Sequence, residues 1–170
     1  MMKRILFYSI LVIQVVVVGV IGWQYYLVED FGMEIKLLRE KPELGKYVPY
    51  YEYGNMHVDY EINAIDEDKW EAPDSIHYKE KVYVLLEEGD DGIYHVVRAS
   101  DKKLEEDSGQ VVLKARYRYS ADHIKKYYVD YGIEDIRNGE DYRYLDAEKQ
   151  WIVTVKIAPW GQKRIINIEN

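Results

Sequence analysis

The sequence predicts a mainly β chain, α+β overall, in which a single N-terminal transmembrane helix precedes one antiparallel β-rich domain. Three observations carry this expectation: an uncharged apolar run over residues 5–28, several short stretches in which apolar and polar residues alternate, and the return of one such stretch at a fixed spacing later in the chain. Alternation marks strands because successive side chains leave a strand on opposite faces.

Ile5 to Val28 carries no charge, and fifteen of its 24 positions are Val, Ile, Leu or Phe. As a helix it reaches about 36 Å, enough to cross a hydrocarbon core of about 30 Å with some tilt. Lys3 and Arg4 precede it while Glu29, Asp30 and Glu34 follow. The preference of basic residues for the cytoplasmic side therefore predicts a cytoplasmic tip at residues 1–4, an anchor in the bilayer at 5–28, and everything later outside the cell. Trp23, Tyr25 and Tyr26 fall at the outer headgroup level, where amphipathic rings form an interface belt. The rival is a cleaved signal peptide, whose apolar region usually runs about 7 to 15 residues and ends in small residues. Only Val20 and Gly22 offer such positions ahead of Trp23, so an uncleaved anchor is expected.

The chain has no cysteine. That excludes disulfides and thiolate metal sites, and it fits a bacterial envelope protein better than a small disulfide-dependent ectodomain. Setting aside Lys3 and Arg4 leaves 21 basic against 31 acidic residues, a formal charge of −10. Nucleic acid and anionic headgroups are poor partners for such a field, and no cofactor is expected.

Residues 29–46 read as a juxtamembrane connector in which Phe31, Ile35 and Leu38 share a helical face while Ile35 and Leu37 alternate as in a strand, the end favouring strand, with Pro42, Gly45 and Pro49 marking a turn-rich entry to a domain at 47–170. Within that domain Val58-Asp59-Tyr60-Glu61-Ile62 returns 71 residues later as Val129-Asp130-Tyr131-Gly132-Ile133. At the same offset Val82, Val84 and Leu86 meet Val153, Val155 and Ile157, and His95 and Val97 meet Ile166 and Ile168. Two duplicated strand-hairpin units, 47–99 and 111–170, account for this, as does independent convergence on an alternating pattern. Each unit holds a hairpin: Lys81 to Glu88 with Ile93 to Arg98 across an Asp-Gly turn, and Trp151 to Ala158 with Lys163 to Ile168 across Pro159-Trp160-Gly161. Val111 to Tyr119 reads as a half-exposed strand with Lys114, Arg116 and Arg118 outward. Ser120 is placed to cap a short helix through Tyr128 that Gly132 ends.

The chain contains 18 tyrosines. Tyr47, Tyr50, Tyr51, Tyr53 and Tyr60, with Asp59, Tyr128, Asp130 and Tyr131, form the candidate partner or ligand surface. The same residue types also suit half-buried sheet faces with wet hydroxyls. Asp59 and Asp130 lie between apolar neighbours and a tyrosine, where a carboxylate either faces water or accepts hydrogen bonds that pin a turn. His57 and Asp59, with His77 and His95 the nearest other imidazoles, could form a metal or acid–base site. The second unit does not repeat it, because His57 becomes Tyr128, and neither His-x-x-x-His nor Gly-x-Ser-x-Gly occurs. No metal site and no catalysis are expected. Glu87, Glu88, Asp90 and Asp91 crowd one turn but lack the spacing of a calcium loop, so a solvated acidic turn is expected.

In order along the chain stand Lys41-Pro42-Glu43-Leu44-Gly45-Lys46-Tyr47-Val48, the first Val-Asp-Tyr stretch, Lys81-Val82-Tyr83-Val84-Leu85, Leu113-Lys114, Tyr131-Gly132-Ile133-Glu134 and the last hairpin from Gly161 to Ile168. In this order the chain resembles the GDYXXLXY family of bacterial membrane-anchored proteins. It departs from the family at Gly45-Lys46-Tyr47, where base replaces acid, in a tyrosine-rich insertion from Pro49 to Met56, and at Asp135 to Gly139, where the family carries a Pro-Glu-Gly turn. The resemblance implies an envelope protein encoded beside a multi-spanning membrane protein, and it supplies no catalytic residues. The expected function is therefore non-enzymatic binding of a polytopic membrane protein or other envelope component. The alternative is a surface glycan- or peptide-binding sensor domain, and a third, less favoured reading is an envelope enzyme using His57 and Asp59 or the acidic turn.

Overall fold

The computed structural model describes residues 2–40, 51–52, 55–137 and 150–169. α1 (Met2–Phe31) is one uninterrupted helix whose window Leu6–Trp23 has a mean hydropathy of 2.3 and no buried residue, so it is long and apolar enough to cross a membrane. Trp23 is exposed on it, and Tyr25 and Tyr26 belong to the same helix. The helix stops at Gly32, whose N–H donates to Val28 O at 3.0 Å.

The strands are β1 (Met33–Leu38), β2 (Tyr51–Glu52), β3 (Asn55–His57), β4 (Ala64–Asp66), β5 (Lys81–Glu88), β6 (Tyr94–Ser100), β7 (Gln110–Ala121), β8 (Lys126–Asp130), β9 (Asp135–Arg137), β10 (Ile152–Ile157) and β11 (Lys163–Glu169). They form one five-stranded sheet ordered β4-β8-β7-β5-β6 and two three-stranded sheets, β1-β10-β11 and β2-β3-β9, with every ladder antiparallel. Past β4, Trp70 bridges Ala99 of β6, so the five-stranded sheet curls almost into a barrel. The stretch expected as a connector thus contributes β1, whose Ile35 and Leu37 are fully buried in the core. Both hairpins stand where the turn residues place them.

The two halves repeat each other in pairing as well as in sequence. Ala64↔Tyr128, Ile65↔Tyr127 and Asp66↔Lys126 of β4–β8 become His57↔Asp135, Met56↔Ile136 and Asn55↔Arg137 of β3–β9 when each half is shifted by 71 residues. The hairpins also match, at an offset of 69: Val84↔Ala99 corresponds to Val153↔Ile168, and the bulge after Leu85 corresponds to the bulge after Thr154. This corrects the expected alignment of the hairpins by two residues, so that Val84 and Leu86 meet Val153 and Val155. The inward row survives because a slip of two keeps every side chain on its face. The long strand β7 has two counterparts, since β1 pairs with β10 as β7 does with β5, and β2 pairs with β3 as β7 does with β8. The two small sheets are therefore the interrupted copy of the large one.

The copies are intertwined. In the first half β1, β2 and β3 join one sheet system and β4, β5 and β6 the other, while β7 and β8 of the second half cross the opposite way from β9, β10 and β11. Val82, Val84, Leu86, Leu113, Val153 and Val155 face into one continuous core shared by both systems. At about 25 cal/mol per Å² such fully buried aliphatics are the main stabilising element. The helix expected after Ser120 is absent. β7 runs on to Ala121, Lys125 turns the chain at φ 54°, and β8 returns alongside. Tyr127, stacked on Trp70 at 4.4 Å, and Tyr128, stacked on Tyr119 at 4.7 Å, gain more from the sheet surface than from a helix face.

Candidate functional site

Each copy of the Val-Asp-Tyr motif is the segment at which its half crosses between sheet systems, Val58 to Ile62 leading from β3 to β4 and Val129 to Ile133 from β8 to β9. The copies clasp each other reciprocally. Tyr60 Oη–H donates to Ile133 O at 3.0 Å, and Tyr131 Oη–H donates to Ile62 O at 2.8 Å. Each tyrosine's N–H donates three residues ahead, Tyr60 to Asn63 Oδ1 at 2.7 Å and Tyr131 to Glu134 Oε1 at 2.6 Å. Asn63 Nδ2 then donates to both Val129 O and Glu134 Oε1, at 2.7 Å each. Asn63 and Glu134 are themselves 71 residues apart.

Both tyrosines are buried, and desolvation, with the nearby Glu134 carboxyl, pushes their hydroxyls well above the ordinary phenol value. Burial also raises Glu134, and a shared hydrogen bond with Asp130 adds to it against the opposing Tyr131 and Asn63 contacts. Burial alone would raise Asp130 as well. The bond from Glu134, the Gly132 N–H at 2.7 Å and the charges of Arg118 and His57 outweigh that and hold it below its usual value. Of the pair, Glu134 therefore keeps its proton to higher pH than Asp130 does. Asp130 caps the turn in which Gly132 takes φ 75°.

Of the other predicted site residues, Asp59 is half-buried with Oδ1 3.4 Å from His57 Nε2. His77 is exposed and donates its N–H to Glu80. His95 meets Asp91 at 3.5 Å in the acidic turn, where Asp91 accepts the Ile93 N–H and is lowered chiefly by it. Among the described residues no group of three or more His, Asp or Glu is arranged to hold a metal ion. Tyr128 is half-buried and stacks on the exposed Tyr119, its ring outside the clasp. Tyr51 opens β2 opposite Met56, and Tyr47, Tyr50 and Tyr53 lie outside the described residues.

Beside the second clasp copy a cleft of about 770 Å³ is lined by Lys79, Lys81, Lys114, Arg116, Arg118 and Lys163, with Asp130 as its carboxylate. Lys114, Arg116 and Arg118 are the alternating outward residues of β7, and Lys81 of β5 lies directly opposite Arg116. Like charges so placed destabilise a ladder. Lys163 reaches in from β11 and donates to Lys114 O at 2.7 Å and Tyr131 O at 2.6 Å. Its burial lowers the ammonium pKa against the pull of Glu134 and Asp130. The sequence marks the β7 row as exposed and sets Glu134 in the Tyr131-Gly132-Ile133-Glu134 stretch, but Lys163 and Asn63 carry no signal of their own.

A family model described as GDYXXLXY protein matches residues 53–168 of the chain. Searches of the curated proteins and of the solved structures find no match.

Proposed function

The chain belongs to the GDYXXLXY family, and from that premise we propose that it is a non-enzymatic, single-pass protein of the bacterial cell membrane. In this reading the N-terminus is cytoplasmic, and the β domain stands outside, where it binds a multi-spanning membrane protein. The observation that supports this most is the joint between anchor and domain. Val28 is buried, Lys156 Nζ donates to Glu29 O at 2.7 Å, and Arg164 Nη1 meets Glu29 Oε1 at 2.6 Å. A domain seated on the last turn of its own membrane helix keeps one face at the bilayer surface, which suits a partner embedded in the same membrane. Crosslinking of intact cells followed by purification in mild detergent is expected to retain a multi-spanning protein, and recovery of the chain alone would overturn the reading. Protease added to intact cells is expected to digest the domain. Protection until lysis would reverse the orientation.

The basic cleft favours a second reading, a surface receptor for a small ligand. Tyr78, which is exposed, and the half-buried Tyr117 stand among its cations and offer stacking area.

A further inference from the structure

We propose that the cleft between β5, β7 and β11 binds a phosphate-bearing anion. The proposal rests on the reading of the cleft as a ligand site and names its chemistry. The first support is the inversion of charge: six cations face one carboxylate in a chain whose net charge is −8. Over more than about 8 Å salt screens the acidic surface, so the groups lining the cleft decide what enters it.

The second support is an internal control, because the fold contains the same place twice. The hairpin offset puts Gln150 where Lys81 stands and Tyr94 where Lys163 stands. The β1–β10 and β7–β5 ladders put Leu38 at the place of Lys114, and Glu40, whose N–H donates to Asp59 O, at the place of Arg116, the partner of Asp130. The architecture therefore does not need these cations; one copy of it stands without them.

The third support is that the cations are not neutralised by contact ion pairs, although Lys79 lies over the Tyr78 ring and Lys163 over that of Tyr131. Among the described residues none of the six forms a contact ion pair, and the exposed Lys81 and Arg116 face each other across the ladder at a cost. Lys163 is fixed by two carbonyls, leaving one N–H for a ligand. Arginine's planar fork and several ammonium groups suit phosphate oxygens, which accept several charge-assisted hydrogen bonds at once. Position favours phosphate over carboxylate ligands. Lys163 pairs with Ile157, and Ile157 with Met33, two residues past the end of α1, so the cleft opens two strands from the level at which the anchor leaves the bilayer.

The test uses the full chain in maltoside micelles, which contain no phosphate, titrated calorimetrically with inorganic pyrophosphate in about 50 mM salt. Saturable binding is expected. Lys81→Gln with Arg116→Glu, the residues of the counterpart site, is expected to weaken it at least about tenfold, the loss of one charge-assisted hydrogen bond. Lys102→Gln with Lys103→Gln, outside the cleft, is expected to leave it unchanged. Should the double variant fail to fold, Lys81→Gln alone at its exposed position reads the same effect at lower amplitude. Competition by phosphatidylglycerol added to the micelles assigns the phosphate to a lipid headgroup, and its absence assigns it to a soluble phosphate. No pyrophosphate binding, or equal weakening by the Lys102 and Lys103 changes, overturns the proposal. Citrate binding as tightly as pyrophosphate overturns the phosphate assignment and leaves the ligand-site reading intact.

Discussion

At the residue scale, Tyr60 and Tyr131 show why identical side chains can lie close in sequence to a candidate surface and yet serve the interior. Their hydroxyls satisfy carbonyls of the opposite copy inside the core. Removing either leaves a buried acceptor unpaired, so Tyr60→Phe and Tyr131→Phe are each expected to cost about 1–2 kcal/mol in urea unfolding, by similar amounts. A change in only one of the two would contradict the reciprocity. The Glu134–Asp130 pair sets a pH dependence with two limbs. Glu134, raised above its ordinary 4.5, contributes stability that is full at low pH and is lost as pH rises through its elevated value. Asp130, lowered below 3.8, contributes stability present above that value and lost as pH falls through the depressed one. The urea midpoint is therefore expected to be lower at pH 8 than at pH 5, and Glu134→Gln is expected to shrink that difference. A wild-type midpoint unchanged between the two would refute the upward displacement of Glu134. Little of this was legible in sequence. The recurrence of Val-Asp-Tyr marked the place, but Asn63 and Glu134 differ in charge, and only their shared role as acceptors for a tyrosine N–H makes them equivalent.

At the scale of the element, turn chemistry and alternation were informative because they are local. The Asp-Gly and Pro-x-Gly turns fixed both hairpins, and the Lys114, Arg116, Arg118 row fixed the outward face of β7. The segment after Ser120 misled for the converse reason. Its capping residue and spacing fit a helix, yet Trp70, distant in sequence, supplies the ring on which Tyr127 stacks, and tertiary contact overrides a local preference. Gly132 offers a test at this scale. Its φ of 75° is strained for any side chain, while a Cβ there meets nothing within 4 Å, so Gly132→Ala is expected to cost about 1 kcal/mol through backbone conformation alone. Measured by thermal unfolding, a loss of several times that size would mean that packing was disturbed as well.

At the scale of the whole molecule, alternation tells which face a strand buries but never which strand lies beside it, so the crossing of the two halves could not be read from the chain. The crossing makes a strong prediction. A chain divided between Leu104 and Gly109 yields two pieces, each lacking the partners of its own strands, since β5 needs β7 and β10 needs β1. Expressed separately, neither is expected to give the near-ultraviolet circular dichroism of a packed core. Expressed together, they are expected to purify as one folded unit, and independent folding of either piece would disprove the interlock. The same dependence governs biogenesis. β1 leaves the ribosome at Leu38 and cannot dock until Ile157 follows, which at about 5–20 residues per second is a wait of roughly 6 to 24 s. For that interval the nascent polypeptide carries open strand edges, a window in which a chaperone has something to shield.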